Sequence, residues 1–152
     1  MPVEMRAAVT IAPLQPADRA RWEALARGYK AFYETVLADA DYERAWQRLL
    51  AGDGIRGLGA FVDGELAGIT HYLFHASTWS AYVCYLQDLF VDPRVRGRGV
   101  ARALIEAVAQ AAREAGAARL YWLTRHDNAT ARALYDRVAA HRGFIRYDHA
   151  LD

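Results

Sequence analysis

β-branched and small residues alternate along residues 7–14 (AAVTIAPL), a pattern that predicts a strand. From Gln15 to Tyr29 the period lengthens. Trp22, Leu25, Ala26 and Tyr29 recur at helical spacing, and Pro16 suits a first turn. Residues 30–54 predict one or two short helices, closed by Gly52 and Gly54. Two strand-like runs within residues 55–76 meet at Asp63-Gly64, the strongest short-range signal for a tight hairpin. AYVCYLQDLFV, residues 81–91, is a further strand that ends at Asp92-Pro93. A helix is expected from Arg98 to Glu114, with Val100, Leu104, Ala107, Val108 and Ala111 as its apolar stripe and Gly116 closing it. ARLYWLT (118–124) predicts a strand, residues 127–142 a helix capped by Asp127 or Asn128, and GFIRYDHA (143–150) a final strand.

Hairpins come early in this order and strand–helix–strand units late. The expectation is one α/β domain over residues 1–152, with a central mixed sheet flanked by helices. The length suits one domain with a real core and is too short for two comfortable ones. A formal charge of +1 argues against a nucleic-acid surface, and the arginines are spread among Glu and Asp on helices. A single cysteine, Cys84, excludes an internal disulfide framework and a cysteine-based zinc cluster. Its apolar setting, YVCYL, predicts a buried, inert thiol. The first residues show no basic segment leading into an apolar run, and no uncharged apolar stretch approaches membrane-spanning length. A cytoplasmic protein without membrane or nucleic-acid partners is expected. The histidines form no convincing metal spacing with Asp or Glu, so no metal is assigned.

One stretch needs a reason beyond folding. In VDPRVRGRGVARALIEAV, residues 91–108, two glycines sit among arginines where a strand gives way to a helix. A helix N-terminus presents N–H groups without intrahelical partners, and its dipole favours negative charge. Gly97 and Gly99 clear the approach to those amides, and Arg94, Arg96 and Arg98 add charge. The pattern predicts a phosphate loop, though not the two commonest ones. A dinucleotide fingerprint requires glycine where Arg102 stands, and a Walker loop requires a Gly-Lys-Ser/Thr that the chain lacks.

Arg94-x-x-Gly97-x-Gly99 resembles the pyrophosphate loop of the GCN5-related N-acetyltransferases. LQDLFVDP before it is similar to that family's fourth strand, and Asn128…Leu134-Tyr135…Gly143-Phe144 behind it resembles the family's later segment. The likeness spans nearly the whole chain and runs closest to the diamine and histone-and-polyamine acetyltransferases. It implies a mostly antiparallel mixed sheet, acetyl-CoA as cosubstrate, a small-molecule amine as acceptor and a homodimer. It also implies cofactor contacts from Leu89, Phe90, Val91, Arg94, Arg96, Gly97, Arg98, Gly99, Val100 and Ala101, with Asn128 and Tyr135 on the pantetheine side.

Acetyl transfer to an amine requires a neutral nucleophile. A lysine-type amine is neutral in only about one molecule per thousand at pH 7, an obstacle of roughly 4 kcal/mol. The polyamine-type relatives carry Glu-Asp where this chain has Gln87-Asp88, and Gln87 cannot take a proton. Asp88 is therefore the first candidate, either as base or as a carboxylate that holds a cationic acceptor; Glu34 and His71 are weaker options acting through water. Gln87, Asp88 and Glu34 are the expected acceptor contacts. A bulge in this strand, as the resemblance implies, frees the Leu89 N–H for the developing oxyanion, and Tyr135 is the implied proton donor to the leaving thiolate. Strict alternation sends Gln87 and Asp88 to opposite faces; a bulge would bring both to the acceptor. Two other readings stand beside this one: acetylation of a protein lysine or N-terminus, and a non-catalytic acyl-CoA sensor that has lost proton management at Gln87.

Overall fold

The computed structural model describes residues 8–152. They fall into two compact units, one running to Trp122 and the other spanning Leu123–Asp152. In the first, five strands lie in sequence order: β1 (Val9–Pro13), β2 (Arg56–Val62), β3 (Glu65–Ala76), β4 (Tyr82–Val91) and β5 (Leu120–Tyr121). The first four pair antiparallel and β5 joins β4 in parallel, so the sheet is mixed. Helices α1 (Arg19–Phe32) and α2 (Asp39–Ala51) precede β2, and α3 (Val100–Glu114) makes the crossover from β4 to β5.

The sheet divides the core. On one face Trp22, Leu25 and Ala26 of α1 and Tyr42 and Trp46 of α2 bury against Leu66 and Ile69. On the other, Val100 and Leu104 of α3 bury against Ala60, Val62 and Ala67. Gly68 lets α3 approach: a Cβ there would stand 2.9 Å from Val100 and 3.2 Å from Leu104. The β2–β3 hairpin turns on Asp63 (φ 53°) and Gly64 (φ 79°), the paired left-handed residues of a type I′ turn. Cys84 is fully buried, and burial pushes its thiol up to about 11, so it is inert as expected.

Of the one or two short helices expected over 30–54 the structure has one, α2, while α1 runs on through Phe32. Other expectations change. The helix expected from Arg98 begins at Val100, because Gly97 (φ 81°) and Gly99 (φ 78°) are left-handed and cannot lie in a right-handed turn. The strand expected over 118–124 is reduced to Leu120–Tyr121. In the second unit, α4 (Ala129–Val138) is capped by Asn128, whose side chain accepts from the Ala131 N–H at 3.4 Å. The final strand, expected over 143–150, is absent: residues 139–152 lie outside helix and strand. Alternation of apolar residues gives a segment a strand's pattern, but a strand also needs a paired edge, and this segment has none among the described residues.

Candidate active site

The site grows from an irregularity in β4. Tyr72 pairs with Leu86 and the next residue of β3, His71 toward the hairpin, pairs with Asp88; Gln87 is the extra residue of a β-bulge. The bulge breaks the alternation, so that Gln87, Asp88 and Phe90 all line one cavity of about 240 Å³ on the α1/α2 face. Ile69 and His71 complete its floor; Trp22, Tyr29 and Lys30 of α1 and Tyr42 and Arg48 of α2 are among its walls. Glu34, expected as an acceptor contact, is exposed in the α1–α2 link and is not among the lining residues.

Asp88 sits in a hydrogen-bonded cluster. His71 Nδ1 lies 2.9 Å from Asp88 Oδ2, and His71 Nε2 accepts from Trp22 Nε1 at 3.0 Å. The Tyr29 phenol acts on the same carboxylate. Burial pushes the Asp88 carboxyl up, but the bonds from His71 and Tyr29, with the Lys30 charge, outweigh it and leave the group below its ordinary value. Burial, and then the Asp88 charge, drive the Tyr29 phenol well above its ordinary value, so it stays a donor. The cluster thus holds a carboxylate that is ionised at neutral pH and partly open to the cavity.

On the backbone side of the same strand, the Asp92 N–H donates to Ala67 of β3 at 2.8 Å. Alternation then directs the Phe90 and Asp88 amides to β3, and those of Leu89 and Val91 to the opposite edge. That edge pairs with β5 only at Cys84 and Tyr85. Leu89 therefore offers an N–H on a stretch without a strand partner among the described residues, one residue from the Asp88 carboxylate.

The turn after β4 is built around Asp92, which is buried. Its carboxylate accepts from the Arg94 backbone N–H at 2.9 Å, from the Arg94 guanidinium at 2.8 Å and from Arg21 at 3.2 Å. The bonds from Arg94 hold its carboxyl far below the usual carboxylate range. The Arg94 guanidinium bonds to Asp92 yet remains exposed, as Arg96 and Arg98 are. Gly99 is the N-cap of α3 and supplies no side-chain cap, so the first amides of a helix of 15 residues are left for another acceptor. A Cβ at Gly97 or Gly99 would meet nothing within 4 Å; the glycines answer the left-handed backbone as well as the approach of a ligand. An uncapped helix N-terminus behind a left-handed glycine turn fits a diphosphate.

In the second unit Asn128 caps α4 and donates to Thr124 Oγ1 at 3.2 Å. Tyr135, seven residues on, lies two turns along the same helix face. Sequence reasoning did not foresee Trp22 and Tyr29 as partners of the acceptor cluster. Their spacing on α1 read as core, and the one signal available was that both carry a polar tip on an otherwise apolar stripe. Among the described residues no helix is long and apolar enough to cross a membrane, and no three or more His, Cys, Asp or Glu gather as metal ligands.

The chain's likeness to known proteins agrees with this geometry. The profile of the acetyltransferase (GNAT) family matches residues 22–140. The D-amino-acid N-acetyltransferase HPA3 of Saccharomyces cerevisiae is 33% identical over 136 residues, covering 86% of this chain and 84% of that protein. The thialysine N-epsilon-acetyltransferase of Caenorhabditis elegans is 37% identical over 84 residues, 55% of this chain and 52% of that protein. The structure of AAC(6')-Iy with the bisubstrate analogue CoA-S-monomethyl-acetylneamine superposes with a TM-score of 0.84, at 18% identity, over 96% of this chain and 100% of that one. A glycine turn opening an uncapped helix, a bulged strand before it and a family match over most of the chain agree: this protein belongs to the acetyltransferase (GNAT) family and is an N-acetyltransferase.

Proposed function

We propose that the protein transfers the acetyl group of acetyl-CoA to the primary amine of a small molecule, polyamine or amino-acid-like, by direct attack in a ternary complex. The bulge at Gln87 is the observation that carries this reading, because it turns Gln87 and the Asp88 carboxylate to one cavity, next to the free-edge amide of Leu89. In this arrangement the diphosphate of the cosubstrate rests on the Gly97–Gly99 turn and the first amides of α3. Asp88 holds the acceptor as its ammonium. The amine loses a proton to water and attacks the thioester carbonyl as the neutral form, Leu89 N–H receives the oxyanion, and the C–S bond then breaks to release the CoA thiolate. A cavity of about 240 Å³ suits a small amine better than a folded protein. Relatives named for D-amino acids and thialysine support the same class. A panel of amines assayed by CoA release tests the reading; tight acetyl-CoA binding with no amine acetylated would replace it with the acyl-CoA sensor.

Tyr135 is the group we assign to the leaving thiolate, from its place after Asn128 in the family pattern. A phenol of pKa about 10 facing a thiolate of pKa near 8.5 makes full transfer uphill by roughly 2 kcal/mol, yet the hydrogen bond stabilises the sulfur before any proton moves. Tyr135→Phe keeps the ring and removes that donor. The expected result is a loss of about 10²-fold in kcat with acetyl-CoA affinity intact, measured with saturating acetyl-CoA. A variant within twofold of wild type, with chemistry rate-limiting, would leave Tyr135 a packing residue.

We place the enzyme in the cytoplasm as a homodimer. In residues 139–152 the side chains of Phe144, Ile145, Tyr147 and Leu151 stand exposed outside any strand, a segment suited to pairing with a second copy. Light scattering should give twice the chain mass; a monomer at micromolar concentration would remove the dimer.

A further inference from the structure

We infer that the acceptor is an α-amino acid with an apolar side chain, its amine held by Asp88 and its carboxylate by Lys30. The inference rests on the acceptor site proposed above and narrows it, because a polyamine and an amino acid ask different things of one cavity. A polyamine carries two or more ammonium groups, each of which needs a counter-charge once it leaves water. An amino acid carries one ammonium and one carboxylate, and needs a wall of both signs.

The cavity beside the bulge has such a wall. Asp88 of β4 and Lys30 of α1 both line it. The Lys30 charge reaches the Asp88 carboxylate, yet the two make no ion pair with each other, so a gap is left between them. Lys30 is half-buried, its ammonium 5.5 Å from the centre of the Tyr29 ring, and it has no ion-pair partner among the described residues. A partly desolvated ammonium on a cavity wall, with no carboxylate closing on it, is placed to receive one from a ligand. Lys30 also lies in the last turn of α1, where a cation suits the helix dipole. That role asks nothing of a ligand, and the test below separates the two.

A second ammonium finds no seat in the same lining. Its other carboxylate is Asp41, and both oxygens are used: Oδ1 by Arg44 and Oδ2 by the Ala38 N–H at 2.9 Å. Arg48 of α2 adds another positive charge to the lining. The far end of a polyamine would therefore meet two cations and a hydrocarbon surface. Leu37, Leu49, Ile55 and Ile69 supply that surface, and they suit an aliphatic side chain instead.

An NMR titration of the protein holding CoA reads acceptor binding without turnover. The probes are leucine (the better-bound enantiomer), leucinamide and cadaverine. Leucinamide keeps the ammonium and the side chain but lacks the carboxylate; cadaverine is a diamine. Leucine is expected to bind at least about tenfold more tightly than either of the others. In Lys30→Gln its Kd should rise about 30-fold, and its preference over leucinamide should disappear. A role of Lys30 in the helix alone would shift all three probes alike or none of them. Leucinamide or cadaverine bound to wild type as tightly as leucine would overturn the inference. So would a folded Lys30→Gln that keeps the preference for leucine. The wild-type titration decides the point if that variant misfolds. It also stands apart from the transfer reading: leucine bound in preference with no amine acetylated would fall on the transfer step alone. Cadaverine acetylated in preference to leucine would overturn the amino-acid acceptor and leave the transfer step in place.

Discussion

Gly99→Glu is expected to abolish acetyl-CoA binding, with affinity falling by at least about 10³-fold, while the fold survives. Gly99 is the N-cap of α3 at φ 78°, and a Cβ there meets nothing within 4 Å. The substitution therefore adds backbone strain of about 1–2 kcal/mol without a steric clash. A glutamate at this cap also carries its own carboxylate to the amides that a diphosphate would use, and its charge opposes the ligand's. Losing the diphosphate contacts and adding repulsion together exceed about 4 kcal/mol, which is the 10³-fold expected. Gly99→Ala separates the two effects, since it carries the same strain without the charge and should bind far better than the glutamate variant. Calorimetry on both folded variants is the measurement. Unchanged affinity in Gly99→Glu would remove the turn from the cofactor site.

The glycine turn was legible because its reason is local. Left-handed backbone and an uncapped helix are properties of consecutive residues, and Arg94-x-x-Gly97-x-Gly99 carries them on its face. The Asp63-Gly64 hairpin and the buried Cys84 were legible on the same ground. The bulge was not. It is a mismatch between β3 and β4, visible only once Tyr72 is set opposite Leu86 and His71 opposite Asp88. The Trp22–His71 bond joins residues 49 apart in the chain, and a tryptophan on an apolar stripe reads as packing until its N–H is seen to be spent. Arg94 is a different lesson. Its place in the motif suggested a phosphate contact, and the structure adds a bond to the neighbouring Asp92 that the motif does not show, with the side chain still 69% exposed. The strand expected over 143–150 failed because periodicity describes one segment, whereas a ladder requires two.

Asp88→Asn is the second large effect expected: a fall of about 10²-fold in kcat/KM for a cationic acceptor, expressed mainly as a raised acceptor KM. Asparagine preserves size and still accepts from His71 and Tyr29, so the cluster keeps its shape and loses its charge. Removing one partner of a partly buried charge pair costs about 2–5 kcal/mol, and the lower part of that range applies because the Asp88 side chain is 21% exposed. Of its two candidate roles, the direction of the Asp88 shift favours binding. A good general base at neutral pH has a raised carboxyl, whereas this one is lowered: burial raises it, and the bonds from His71 and Tyr29 more than compensate. A carboxyl lowered in this way takes protons poorly, so the loss is expected in acceptor binding. With its folded value depressed, the carboxylate is fully ionised above the ordinary carboxylate range, so the wild-type advantage should be flat from about pH 5 upward until the acceptor amine itself loses its proton. Above that pH the amine is neutral, the charge at residue 88 matters less, and the two enzymes should converge. Acetyl-CoA affinity should match wild type throughout. A loss confined to kcat with an unchanged acceptor KM would make Asp88 the base instead, and wild-type kinetics at every pH would exclude both roles.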